Sequence, residues 1–303
     1  MKKIIIFALS LVFSLSNLIS EDSYKIKVSS PNGAPALALA YLAEKNPEDY
    51  KYVAAEAISA EFAAANSDFI IAPVNAGAKL FKMGKSTYKL AAVVTWGNLY
   101  FASQKKNFSL KDIKKSGITL FGENTINSSV ALSVLENNKI RPKSVTYLGS
   151  AAATLSLLLS DSKAVVLTAE PALSGARLKN PQITAYPVNE LYKKATGFEG
   201  YTQAGLFVRT KTIEEQPEAV REYLKLAAQS CEKCAENPAE IAKVAVKLEI
   251  LPNEKIAEKA IPNCSIRYLN ALDAKEQVET TAKIDLAQFG SSLPADDFYY
   301  GEK

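Results

Sequence analysis

Apolar and polar positions along the chain follow two alternating rhythms. Residues 25–30 alternate with period two, Ile26 and Val28 sharing one face, which predicts a strand. Pro31, Asn32 and Gly33 interrupt it, and an Ala/Leu-rich run to about residue 44 predicts a helix. Residues 50–55 predict a second strand. Residues 68–74 (DFIIAPV) and 89–95 (KLAAVVT) are continuous apolar runs, the pattern of strands covered on both faces, with a helix expected over 76–83. The rhythm then restarts. Strands are expected at 117–121, 145–148, 164–168 and 183–188, with helices at 128–138, 151–160 and 172–178 and a helical turn at 109–112. After one more strand over 204–209, helices are predicted over 214–237, 238–248, 253–260 and 273–289. Strand–helix alternation of this kind predicts an α/β fold with mostly parallel sheets. Two such units followed by a helical tail predict two lobes, with the chain crossing between them near 102–105 and returning near 203–206.

The first residues read differently. Lys2 and Lys3 precede an uncharged apolar stretch over 4–13, and small residues follow at Ser14, Ser16 and Ser20. That order predicts a secretory signal peptide over 1–20, cleaved after Ser16 or Ser20. The apolar stretch is shorter than the roughly 20 residues a bilayer span needs. No cysteine lies near either site, so a soluble periplasmic protein without a lipid anchor is expected. The rest of the chain exceeds a typical domain of about 150 residues. Residues 21–103 with 206–303 are expected to form lobe one, and 104–205 lobe two.

Charge and composition narrow the chemistry. The formal charge of +4 falls to +2 without Lys2 and Lys3, and the lysines are interspersed with acids, so no nucleic-acid partner is expected. The chain contains no histidine, which removes Ser-His-Asp and Cys-His catalysis and most zinc sites. No catalytic residue, metal or cofactor is therefore expected. Cys231 and Cys234 share an apolar helix face with Val220, Leu224 and Ala227. A redox Cys-x-x-Cys normally opens a helix, whereas these lie at the far end, so they read as buried structural thiols. A bridge from either to Cys264 stays open.

In an open α/β sheet, ligands sit at the carboxyl ends of the strands. That rule selects Asn32, Gly33, Ala34, Glu56, Pro73, Asn75 and Trp96 in lobe one. In lobe two it selects Asn124, Thr125 and Glu170, with Gln203 at the return crossing. Plainer roles compete for some of them. Asn75 suits a helix cap, Glu170 a helix start, and Trp96 either core or a stacking surface. Helix starts at 32–34 and 124–125 would favour an anion such as a sulfonate or carboxylate. Against that, none of these loops carries the arginine that clamps a bound acid, and Glu56, Glu123 and Glu170 lie among them. The balance favours a neutral or cationic heterocycle.

The segments KIKVSSPNGAPALALAYLAEK, SDFIIAPVNAGAKLFKMG, TWGNLYFAS and AVVLTAEPAL, and the tail AIPNCSIRYLNA with LPADDFYY, come in an order that resembles one known family. It is the NMT1/THI5-like solute-binding proteins of nitrate-, taurine- and sulfonate-type ABC importers. The resemblance runs over nearly the whole mature chain. It implies the type II periplasmic-binding-protein fold: two Rossmann-like lobes, two hinge crossings, and a helical C-terminal tail packing on lobe one. It also implies a monomer that captures a small molecule, such as a thiamine pyrimidine precursor, for permease and ATPase subunits. A ligand sensor without a transporter is the alternative, and an enzyme on the same fold a lesser one. The pyrimidine-precursor synthases of the superfamily rely on a histidine and a cysteine-rich motif, both missing here.

Overall fold

The computed structural model describes residues 25–301, so the expected signal peptide lies outside the described residues. Eleven strands are present among these residues: β1 Val28–Pro31, β2 Tyr50–Val53, β3 Phe69–Pro73, β4 Tyr88–Thr95, β5 Leu99–Ser103, β6 Ile118–Phe121, β7 Val145–Leu148, β8 Val165–Ala169, β9 Thr184–Pro187, β10 Ala204–Arg209 and β11 Ile266–Asn270. They form two sheets, in the orders β11-β4-β10-β3-β1-β2 and β7-β6-β8-β5-β9. β1 runs parallel to β2 and β3, and β6 parallel to β7 and β8. β10 and β5 run antiparallel to both their neighbours. Each is the first strand laid down after the chain has changed sheets.

Helices cover both faces of the sheets. The first group is α1 Ala34–Leu37, α2 Ala40–Ala43, α3 Ile58–Ala64 and α4 Val74–Lys82. The second is α5 Ile113–Ser116, α6 Ile126–Asn137, α7 Ala151–Ser160, α8 Ala172–Lys179 and α9 Val188–Thr196. The tail holds α10 Thr210–Glu215, α11 Pro217–Glu236, α12 Pro238–Lys247, α13 Glu254–Ala260 and α14 Ala271–Ala282. The apolar runs behave as their patterns require: β3 is buried until its final proline, and every residue of β4 but Lys89 is buried. Gly77 lets α4 approach β10, because a Cβ there would stand 2.3 Å from the Phe207 ring.

Three expectations need correction. The outward crossing is at residues 96–98, not 102–105. Ala102 and Ser103 belong to β5, where Ala102 pairs with Val166 and Ala185. Gly97, at φ +87, turns the backbone out of the extended run, so Leu99 begins a new strand in the other sheet. Sheet membership therefore changes after residue 98 rather than 103. The helix expected over 34–44 is two four-residue pieces, broken at residues 38–39. The tail is not purely helical either, since β11 pairs with β4 inside it.

The broken first helix explains the cysteines. A helix end leaves carbonyls without intrahelical partners. The Cys234 thiol donates to the Leu37 carbonyl at 2.9 Å and the Cys231 thiol to that of Ala38 at 3.5 Å. All three cysteines are buried and free, so neither bridge to Cys264 is formed. Burial pushes the Cys231 and Cys264 thiols up and that of Cys234 to about 12, which keeps all three protonated.

The tail packs chiefly on the six-stranded sheet, α11 against β11 and α14 against β4. It also reaches the other half. α13 lies against α8, with Ile256 beside Gly175. Asp285 accepts from Ser129 Oγ at 2.7 Å, and Gln288 Nε2 donates to the Asn124 carbonyl at 2.8 Å.

Candidate functional site

The expected site residues lie on loops that follow β1, β2, β3, β4, β6 and β8 and on the return segment before β10. The loops after β1, β2, β3, β6 and β8 sit where a strand hands over to a helical segment, the place where backbone polar groups are left for a ligand, whereas the loop after β4 and the return segment lead into strands. After β1, Asn32 is exposed and its N–H donates to the Val53 carbonyl at 3.3 Å. Gly33, at φ +95, precedes Ala34, the first residue of α1. With only four residues, α1 offers little of the helix field that was expected to favour an anion here. Glu56 is exposed on a short turn after β2.

After β3, Pro73 is the residue that precedes α4, so Asn75 is not its cap. Asn75 is half-buried in the first helical turn, and its side chain makes no hydrogen bond among the described residues. In the other sheet, Asn124 adopts φ +57 and leads into Thr125, which precedes α6. Thr125 Oγ1 donates to the Gly122 carbonyl at 2.7 Å, and the Thr125 N–H to Ser128 Oγ at 3.3 Å.

Glu170 takes the plainer role. It is 3% exposed and accepts from the Ser174 N–H at 3.0 Å and Ser174 Oγ at 2.9 Å, so its carboxylate caps the first turn of α8. Burial raises its pKa above the ordinary carboxylate value, partly opposed by those two bonds. Trp96 is 2% exposed. Its indole N–H donates to the Arg267 carbonyl at 2.8 Å, and the Arg267 guanidinium lies 4.4 Å from the ring centroid.

The two crossings are tied together by a residue that sequence reasoning passed over. Asn98 Oδ1 accepts from Gln203 Nε2 at 2.7 Å, and Asn98 Nδ2 donates to the Glu170 carbonyl at 2.6 Å. The Asn98 carbonyl accepts from the Glu170 N–H at 3.0 Å. Gln203 in turn accepts from the Val74 N–H and donates its own N–H to the Thr95 carbonyl, at 3.0 and 3.1 Å. The ends of β3, β4 and β8 are thus gathered around one Asn–Gln pair. This network joins Val74, Glu170 and Gln203, with Pro73 and Asn75 on either side of Val74 in the chain. Thr168 Oγ1, just before Glu170, is buried without a partner among the described residues. Asn32, Gly33, Ala34 and Glu56 stay on loops of their own sheet, and Asn124 and Thr125 meet the tail through Gln288.

Similarity to solved structures is extensive in coverage and low in identity. A structure described as an ABC transporter from Parabacteroides distasonis is 22% identical, with a TM-score of 0.79, covering 92% of this chain and 99% of that one. The periplasmic aliphatic sulphonate binding protein SsuA from Escherichia coli is 12% identical, with a TM-score of 0.68 and coverage of 91% and 92%. The periplasmic nitrate-binding protein NrtA from Synechocystis PCC 6803 is 12% identical, with a TM-score of 0.61 and coverage of 90% and 83%. Those likenesses show the fold of periplasmic binding proteins. No curated protein matches the chain. The model described as NMT1/THI5 like matches residues 34–241, more than half the sequence, and the chain belongs to the NMT1/THI5-like family.

Proposed function

We propose that the chain is the solute-binding component of an ABC-type importer, exported by its N-terminal segment. In this role it holds a small molecule between the carboxyl ends of its two sheets. The observation that carries this reading is the Gln203–Asn98–Glu170 network, which builds a polar floor where two sheets meet at two short crossings. Such crossings support hinge closure over a bound molecule. Membership of the NMT1/THI5-like family and a fold shared with sulfonate- and nitrate-binding proteins support the same role. The absence of histidine from the sequence favours capture over catalysis. Among the described residues, no helix is long and apolar enough to cross a membrane.

The ligand is a small neutral or cationic heterocycle. The groups on offer are amides, hydroxyls and backbone N–H groups, together with the exposed acids Glu56 and Glu123, and no arginine lies in these loops. Glu170 is committed to Ser174 and sets the shape of its loop rather than pairing with a ligand ammonium. Parallel calorimetric titrations with an aminopyrimidine and with ethanesulfonate test the reading. The aminopyrimidine is expected to bind, and Gln203→Ala or Asn75→Ala to weaken it by roughly tenfold or more, the loss of one or two good hydrogen bonds. Tighter binding of the sulfonate would replace the heterocycle with an anion. Loss of neither affinity in both variants would remove the site from these loops.

A further inference from the structure

Behind the crossings lies a notch of about 550 Å³, between the edge strand β11 and the start of α9. Small-molecule sites commonly enclose ~300–1,000 Å³. Its walls come from both halves of the fold: Trp96, Ser265 and Arg267 on one side, Tyr100, Asn189 and Glu190 on the other. The loops that follow β1, β2, β6 and β7 contribute nothing to it.

Its charges are sorted. Lys193 and Glu199, also in the notch, pair with each other at 2.6 Å. Arg267 and Glu190 are exposed, and among the described residues neither has an ion-pair partner. The notch therefore presents one unpaired guanidinium and one unpaired carboxylate. The Arg267 guanidinium lies over the indole of Trp96, 4.4 Å from the ring centroid, a contact that restrains its fork of N–H donors. The Asn189 amide N–H groups brace the Trp96 carbonyl at 2.8 Å and the Gly97 carbonyl at 3.1 Å, while Asn189 Oδ1 is buried without a donor among the described residues.

We propose that this notch is a second binding site, for a small zwitterion of the α-amino-acid type. Its carboxylate pairs with Arg267, its ammonium with Glu190, and its side chain lies against the Tyr100 ring. A guanidinium fork matches a carboxylate bidentately, and Glu190 rejects a second negative charge. The site goes beyond the import reading and does not depend on it. If the halves rotate about the crossings, occupancy of the notch and of the front cleft are linked reciprocally.

Trp96 is the chain's single tryptophan, so its fluorescence reports on the notch directly. Three matched probes divide the chemistry: L-phenylalanine carries both charges, 3-phenylpropionate only the carboxylate, and 2-phenylethylamine only the ammonium. Phenylalanine is expected to give a saturable change, with each single-charge probe weaker by roughly tenfold, about one charge-assisted bond. Arg267→Gln should weaken phenylalanine by roughly tenfold and leave phenylethylamine unchanged, and Glu190→Gln should bring phenylalanine down to the level of phenylpropionate. Arg267→Lys keeps the charge without the fork and should fall between, which covers a failure of the Gln variant to fold. Equal affinity for the three probes, no saturable response at millimolar phenylalanine, or wild-type binding in both notch variants would each overturn the proposal.

Discussion

Gln203 Nε2 donates to Asn98 Oδ1 at 2.7 Å, so the outgoing and returning crossings share one hydrogen bond between side chains 105 positions apart. Asn98 is 6% exposed and holds the Glu170 carbonyl with its other end. Asn98→Ala leaves the half-buried Gln203 amide N–H and the buried Glu170 carbonyl without their Asn98 partner. Such losses cost about 1–3 kcal/mol, so a destabilisation of about 2 kcal/mol is expected from urea unfolding. A change below about 0.5 kcal/mol would show that water replaces the brace.

Asp68 and Arg209 make a second long-range tie. Asp68 Oδ1 lies 3.1 Å from Arg209 Nη2 and accepts from Thr212 Oγ1 at 2.8 Å, while Oδ2 accepts from the Lys27 N–H at 2.9 Å. The carboxylate thereby fixes the starts of β1 and β3 against the end of β10. Asp68→Ala should destabilise the chain by about 3 kcal/mol, because the partners lose a largely buried charge. Surface pairs such as Lys211–Glu215 should contribute less than about 1 kcal/mol by the same assay.

Glu170 gives a pH signature. Its folded pKa lies above 4.5, because burial disfavours the carboxylate more than Ser174 favours it. Below pH 4.5 the group is protonated in both states and the burial cost is absent. As pH rises from there to the folded value, the unfolded chain ionises first and stability falls; above it the cost is complete. Glu170→Gln should abolish that part of the slope. The measurement is the difference in urea midpoint between wild type and variant across this window, and parallel curves would contradict the assignment.

The cysteines offer a simple check. With all three buried, free and held as thiols, a disulfide-exchange reagent such as DTNB should react with none of them in the native state and with three in denaturant. Fewer than three under denaturing, non-reducing conditions would reveal a bridge.

Much of the architecture was legible in the sequence because central strands such as β3 and β4 are buried on both faces. DFIIAPV and KLAAVVT carry no alternation to misread; β3 falls inside the first, and β4 spans the second from one residue earlier, Tyr88. The crossing was misplaced because Leu99–Ser103 follows β4 after only three residues and reads as its continuation. Only the positive φ of Gly97 separates the two, and φ is not written in the composition. β11 was hidden because IRYLN is half-exposed along its length and sits between helices. The site was legible as a set of loops, since strand ends can be counted from sequence. Asn98 was not, because its partners are 72 and 105 positions away. For Trp96 the sequence leaves core and stacking surface open; the indole is buried and its contacts run to Arg267 behind the crossings.

The claim that this chain captures a small molecule at the Gln203–Asn98 floor is tested most directly by native mass spectrometry of the purified protein. The expected result is a single low-mass adduct per chain, identified after release and restored on adding the compound back. That adduct should vanish in the Asn75→Ala, Gln203→Ala double variant while the fold, followed by circular dichroism, stays intact. A folded double variant that retains the adduct would contradict the account, as would a wild-type chain that binds none of the small molecules of a cell extract.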